Sequence, residues 1–239
     1  MVNIDTVYQR VLALANKEQR GYITPQDFNL FANQAQMEIF EQYFYDVNMA
    51  RKGQGNDTVY ADIDDMLEQK LQIFERVADS STITGWGGDP GARELPISVY
   101  KVFKVMMSAS RYGILEAEIL NTKDYTDAIN AGYLIKPNRF HPAANISANI
   151  IRSRTGGAKD AEEIYYFVLP SKVNWGYIVM NDQAMYNDTT SVHFELHRSE
   201  ETQLVNKILK LAGISIKQMD VTQAGQGMDV AITKQQPKI

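Results

Sequence analysis

The spacing of apolar residues changes period twice along this chain, which argues against both an all-helical and an all-strand fold. Ile4, Val7, Tyr8, Val11 and Ala15 recur at helical intervals, and Phe28, Phe31, Ala32, Ala35, Ile39, Tyr43 and Val47 do so over a longer span. Such spacing places apolar side chains along one face of a helix. A third run, Ile63, Leu67, Leu71, Phe74, Val77 and Ala78, follows the loop from Gly53 to Asp57. Three helices so close in sequence predict an antiparallel bundle. The second of them also carries Leu30, Met37, Phe40 and Phe44 off its main stripe. It is therefore expected to meet neighbours on more than one side, as a central bundle helix or a subunit-interface helix does.

Near Gly85 the turn-rich GWGGDPG ends the helical pattern. LPISVYKVFKVMM is dense in β-branched and aromatic residues, and ILEAEIL alternates apolar with acidic. ISANIIRSR, IYYFVLP, WGYIVM and SVHFELH read as further strands, with a short helix over Lys123 to Asn130. Short polar turns between them predict mainly antiparallel pairing. Helical period returns at Ser199, read as a cap, with the stripe Leu204, Val205, Ile208, Leu211 and Ala212 and a stop at Gly213. The expected fold is thus α+β. A helical bundle covers residues 1–84, a β-rich domain 85–198, a helix returning to the bundle 199–216, and an extended arm 217–239. The arm is Gln-rich and lacks aromatics. On its own it is expected to be mobile, ordering against a partner.

At 239 residues and 44% hydrophobic the chain is long enough for a substantial core. Having no Cys excludes disulfides, thiolate metal sites and Cys nucleophiles. No signal peptide is expected at the N-terminus, and no apolar run approaches the ~20 residues of a membrane span. A net charge of -5 opposes tight wrapping of nucleic-acid phosphates. Charge is unevenly spread: Asp57, Asp62, Asp64, Asp65 and Glu68 form an acidic run, and Lys136, Arg139, Arg152, Arg154 and Lys159 a basic one. Solvated faces and the two halves of a subunit contact both fit this distribution.

Two segments invite a metal. NKEQRGYITPQD, Asn16 to Asp27, has the outline of a calcium loop, but Arg20 stands fifth, where an oxygen ligand is needed. The same residues fit a helix end at Gly21 and a helix start with Thr24 as N-cap, Pro25 in the first turn and Asp27 reaching back. Ile23 and Phe28 then form a hydrophobic staple. In HFELH, a strand would put His193, Glu195 and His197 on one face, the ligand set of a metal-dependent hydrolase. Alternation along a strand with an exposed polar face, just before a polar helix start, explains the same pattern, and no metal or cofactor is expected. Nucleophile-elbow and phosphate-loop motifs are absent from the sequence. Trp86 and Trp175 read as core or interface aromatics.

Four blocks together, NKEQRGYITPQDFNLFANQAQMEIFEQYF, LPISVYKV, YFVLPSKVNWGY and FELHRSEETQLVNKILKLAGISI, resemble a family of bacteriophage virion proteins. These are the adaptor or ring proteins beneath the portal of short-tailed phages, including marine and crAss-like phages. The resemblance runs from Asn3 to about Ile216, and its motifs are structural, not catalytic. It implies a non-enzymatic virion protein, repeated about an axis as a homo-oligomeric ring, usually twelvefold. Its partners would be the portal protein and adjacent tail or ring proteins, with DNA passing through the lumen unbound and no membrane involved. A tail-tube or internal virion protein is the nearest structural alternative. Phe40, Tyr43 and Phe44 are expected to serve bundle or subunit packing. Lys217, Met219, Val221, Met228, Val230 and Ile232 of the arm are expected to dock on a neighbour.

Overall fold

A computed structural model describes residues 1–17, 23–52, 58–79, 84–85, 92–96, 98–108, 114–132, 136–138, 140–154, 161–181 and 183–215. Along the chain come helices α1 (Ile4–Lys17), α2 (Pro25–Lys52) and α3 (Thr58–Leu71). Strands β1 (Glu75–Asp79), β2 (Thr84–Gly85), β3 (Ala92–Glu94), β4 (Val99–Ser108), β5 (Ile114–Glu116) and β6 (Glu118–Leu120) follow. Helix α4 (Thr122–Asn130) leads to β7 (Ala143–Ser147), β8 (Ile150–Arg154) and β9 (Ala161–Val168). The last elements are β10 (Tyr177–Met180), β11 (Gln183–Tyr186) and α5 (Glu201–Ser215). The chain is α+β, and it divides into two compact units: Met1–Ile73 together with the chain from Pro170 on, and Phe74–Leu169.

In the first unit α2 packs against α3 and α5, and α1 packs against α5. The start of α2 follows from its sequence. Asp27 N–H donates to Thr24 Oγ1 at 3.2 Å, the Thr24 hydroxyl donates to Asp27 Oδ2 at 2.7 Å, and Pro25 opens the helix. Asp27 is thus spent on the cap, and Ile23 and Phe28 are both buried beside it. Gly21 lies outside the described residues. Most of the predicted stripe residues are core: Ile4, Val7, Tyr8 and Val11 of α1, Phe28, Ala32, Ala35, Ile39, Tyr43 and Val47 of α2, and Leu204, Val205, Ile208 and Ala212 of α5 are buried, whereas Ala15, Phe31 and Leu211 are half-buried.

Several boundaries differ from the sequence expectation. The third helix ends at Leu71; a 3-10 turn, Gln72–Phe74, leads into β1, so Val77 and Ala78 are strand residues. Their backbone belongs to a ladder with β9, Val77 opposite Tyr165 and Ala78 opposite Ile164. Gly213 does not stop α5, which runs to Ser215. Its expected cap, Ser199, sits inside a 3-10 turn, Arg198–Glu200, capped by His197. SVHFELH is no strand, making single bridges from Val192 to Asn174 and from Phe194 to Val2. Alternation survives, with Phe194 and Leu196 buried and His193, Glu195 and His197 turned outward to different degrees.

The second unit holds a four-stranded antiparallel sheet, β1-β9-β4-β5, and a five-stranded sheet, β2-β3-β8-β7-β6. Ala78, Val102, Val105, Met107, Ile164 and Tyr166 of the first share one core with Leu95, Ala117, Ala144 and Ile151. Pairing is antiparallel except between β6 and β7. That exception follows from α4, because a helical crossover returns the chain in the same direction. Asn121 caps α4, its Oδ1 accepting from Asp124 N–H at 2.8 Å. ISANIIRSR, expected as one strand, folds back as β7 and β8 through Ala148 and Asn149, with Ala148 at φ 54°.

Candidate interaction surfaces

Where the chain re-enters the first unit, the segment from Ser171 to Trp175 is held by amide side chains of α2. Asn29, Asn33 and Gln36 follow one another at helical intervals on one face. Asn33 Nδ2 donates to Val173 O at 2.9 Å, and Val173 N–H donates back to Asn33 Oδ1 at 2.9 Å. Trp175 N–H donates to Asn29 Oδ1 at 2.7 Å, and Gln36 Nε2 donates to Ser171 O at 2.8 Å. The three amides meet alternate residues of an extended segment, supplying the donors and acceptors that a neighbouring strand would supply. On its other side Asn174 exchanges hydrogen bonds with Val192, at 3.2 and 2.8 Å.

Trp175 is the aromatic centre of this seam. Its ring lies 4.2 Å from that of Tyr8, and its Nε1 donates to Asp5 Oδ1 at 3.0 Å, so the buried indole N–H is satisfied. Its assignment to the core agrees with the sequence reading, whereas Trp86 lies outside the described residues.

His193, Glu195 and His197 do not converge. His193 Nδ1 accepts from Ile4 N–H at 3.4 Å. The Glu195 carboxylate accepts from Ser171 N–H at 3.0 Å and from the Ser171 hydroxyl at 2.8 Å. His197 Nδ1 takes part in the Ser199 turn, with Ser199 Oγ at 2.9 Å and Ser199 N–H donating at 3.3 Å. Each side chain fastens a different stretch of backbone. Among the described residues no three His, Cys, Asp or Glu side chains gather as a metal set.

Phe40 and Tyr43 are 0% and 3% exposed, so the structure places them inside the chain's own helical core. Phe44 is half-buried, its ring 5.0 Å from that of Phe40. The apolar surface α2 offers comes instead from Leu30, Tyr45 and Met49, which are 66%, 64% and 41% exposed. Beside Tyr43, Lys70 Nζ lies 2.6 Å from Oε1 of the buried Glu200 and 5.5 Å from the Tyr43 ring centre. Burial, reinforced by the Glu200 charge, holds the Tyr43 hydroxyl well above its ordinary pKa. Burial also raises the Asp46 carboxyl; the Lys70 charge opposes that shift and the Glu200 charge adds to it.

WGYIVM was expected in the β-rich domain. Among the described residues it forms β10 within the first unit, paired only with β11 as a two-stranded ribbon. Of the charged runs, Asp65, Glu68 and Lys136 are exposed, and Asp57, Arg139 and Lys159 lie outside the described residues. So do the arm residues Lys217, Met219, Val221, Met228, Val230 and Ile232. No described helix is long and apolar enough to cross a membrane. A scan against protein-family models finds no match to the chain, and a search of curated proteins finds no significant match.

Proposed function

We propose that the chain is a structural virion protein that forms a ring in the head-to-tail connector of a short-tailed phage. In this reading it joins portal to tail, frames the DNA exit channel and performs no chemistry. The starting point is the resemblance of the four sequence blocks. One structural observation carries it physically: the chain exposes two different apolar sheet faces, one in each unit. Ile178, Met180 and Met185 of the β10–β11 ribbon are each more than half exposed, as is Val77 on the four-stranded sheet, which also exposes the ring of Phe103. A contact that repeats head to tail and closes into a ring needs two unlike surfaces on every copy.

The use made of polar side chains favours the same reading. Asn29, Asn33, Gln36, His193 and Glu195 bind backbone, as in a scaffold. A net charge of -5 suits a channel along which DNA must slide without sticking. Twelve copies, the portal and an adjacent tail ring as neighbours, and a docking role for the arm belong to the same proposal.

Particle composition tests it. Mass spectrometry of density-purified phage particles from a producing lysate should find the chain, and gold-labelled antibodies should mark one vertex of tail-bearing particles. A chain confined to the soluble lysate, absent from particles, would overturn the proposal.

A further inference from the structure

The two faces of the β10–β11 ribbon have different surroundings. Side chains alternate along each strand, so Tyr177 and Tyr186, opposite each other in register, share one face, and Ile178 and Met185 share the other. The tyrosine face is anchored, with the two rings 5.8 and 5.9 Å from that of Trp175. The base is fixed too. Asn187 N–H donates to Gly176 O at 2.8 Å, Gly176 N–H to Ser191 Oγ at 2.9 Å, and Ser191 Oγ to Asn187 O at 2.7 Å. The opposite face carries Ile178, Met180 and Met185, which are 54%, 57% and 53% exposed. Val179 lies on the tyrosine face and is 62% exposed, so the bracing acts at the base of the ribbon. A ribbon fixed there and apolar on its outer face is pre-organised for docking, with less ordering cost to meet on binding.

We propose that this face docks on a second copy of the chain, against the outer face of that copy's β1-β9-β4-β5 sheet. Charge selects the occupant. From Gly176 to Asn187 the sequence has no Lys or Arg, and Asp182 is its one charged residue. A nucleic acid or an anionic membrane would require cations there. On the sheet, Val77 pairs in register with Tyr165, and Phe103 lies 6.2 Å from Tyr165 and 4.7 Å from Phe167. Lys104, within the same patch, is matched internally, 4.0 Å from Glu116 and 5.7 Å from the Tyr165 ring centre. Lys101, in register with Phe167 on the same face, is exposed, and the ribbon's one charge, Asp182, is of the opposite sign, so an apolar ribbon meets an aromatic face of complementary charge.

Size sets the strength. Three half-exposed apolar side chains make a patch on the order of 300 Å², the scale of a functional surface patch but well below the ~800 Å² per partner of a standard stable interface. Each contact is therefore weak alone, and closure of a ring multiplies it. The inference rests on reading the chain as a ring subunit.

Sedimentation velocity over a concentration series tests it on four samples. These are the full chain, a ribbon variant (Ile178→Ser, Met180→Ser, Met185→Ser), a sheet variant (Val77→Ser, Phe103→Ser), and an equal mixture of the two variants. The full chain should associate beyond a dimer, and each variant should associate at least ~10-fold more weakly. The mixture should stop at a dimer, because each mixed pair retains one intact ribbon and one intact sheet face. Circular dichroism checks folding of each variant, and the single change Met185→Gln stands in if the triple variant misfolds. A ribbon variant that associates like the full chain, a full chain monomeric throughout, or ribbon-dependent binding to anionic vesicles would each overturn the inference. Finding the chain in virions alongside any of these results would leave the connector reading standing without the ribbon contact, so the two failures are distinguishable.

Discussion

Asn33 and Val173 are 140 residues apart and close a two-way hydrogen-bonded ring, side-chain amide to main chain, with both bonds at 2.9 Å. Val173 is buried, so losing the amide strands a donor and an acceptor away from water. Asn33→Leu should destabilise the chain by about 1–3 kcal/mol. Asn33→Asp should cost at least as much, because a carboxylate keeps the acceptor but opposes the Val173 and Asn29 carbonyl oxygens that the amide now donates to. Urea denaturation measures both, and losses under ~0.5 kcal/mol would show that the ladder does not hold the segment.

Lys70 and Glu200 form a largely buried pair, and its two halves should behave asymmetrically. Lys70→Met leaves the Glu200 carboxylate uncompensated and should cost about 3–5 kcal/mol. The double change Lys70→Met with Glu200→Gln should recover most of that loss. Equal losses in the single and double variants, followed by thermal or urea unfolding, would contradict this description of the pocket.

Asp46 gives a pH signature. Burial raises its carboxyl pKa, so the folded chain holds that proton more readily than the unfolded chain does. This group therefore subtracts stability as pH climbs from the ordinary carboxylate value through the raised one, and the whole penalty stands above it. Asp46→Asn should melt higher than the native chain at neutral pH. The gap should close as pH falls below the ordinary carboxylate value. A gap that is constant with pH would mean the side chain acts by packing alone.

Ala148 occupies the first place of the two-residue turn between β7 and β8 at φ 54°, a conformation that favours Gly. Ala148→Gly should stabilise the chain by about 0.5–1 kcal/mol. Gly176→Ala should act oppositely, because an added Cβ would fall 2.9 Å from Thr190 C and 3.0 Å from Asn187 O, both main-chain atoms. That substitution should cost about 1–3 kcal/mol and raise amide exchange across β10 and β11.

Where a local rule has one physical cause, the sequence was legible. Thr24 with Pro25 and Asp27 marks a helix start because the cap needs only residues close in sequence. The apolar stripes of α1, α2 and α5 were equally plain. Val77 and Ala78 were read as helix because their spacing from Phe74 suits a helix, and only the distant ladder with β9 makes them strand. The β7–β8 turn stayed hidden because it uses Ala148 where Gly would have announced it. Asn29, Asn33 and Gln36 showed their spacing, yet a polar helix stripe ordinarily faces water. The sign that this one faces backbone was its amides, which donate and accept at once. The His193, Glu195 and His197 alternation was visible, but their separate partners, Ile4, Ser171 and Ser199, were not.

The most direct measurement is a cryo-electron-microscopy map of the portal vertex in intact particles from a producing lysate. The account expects several copies of this chain around the channel axis between portal and tail, each with its helical unit and its two-sheet unit in density. A map whose collar is built entirely from other chains would contradict it.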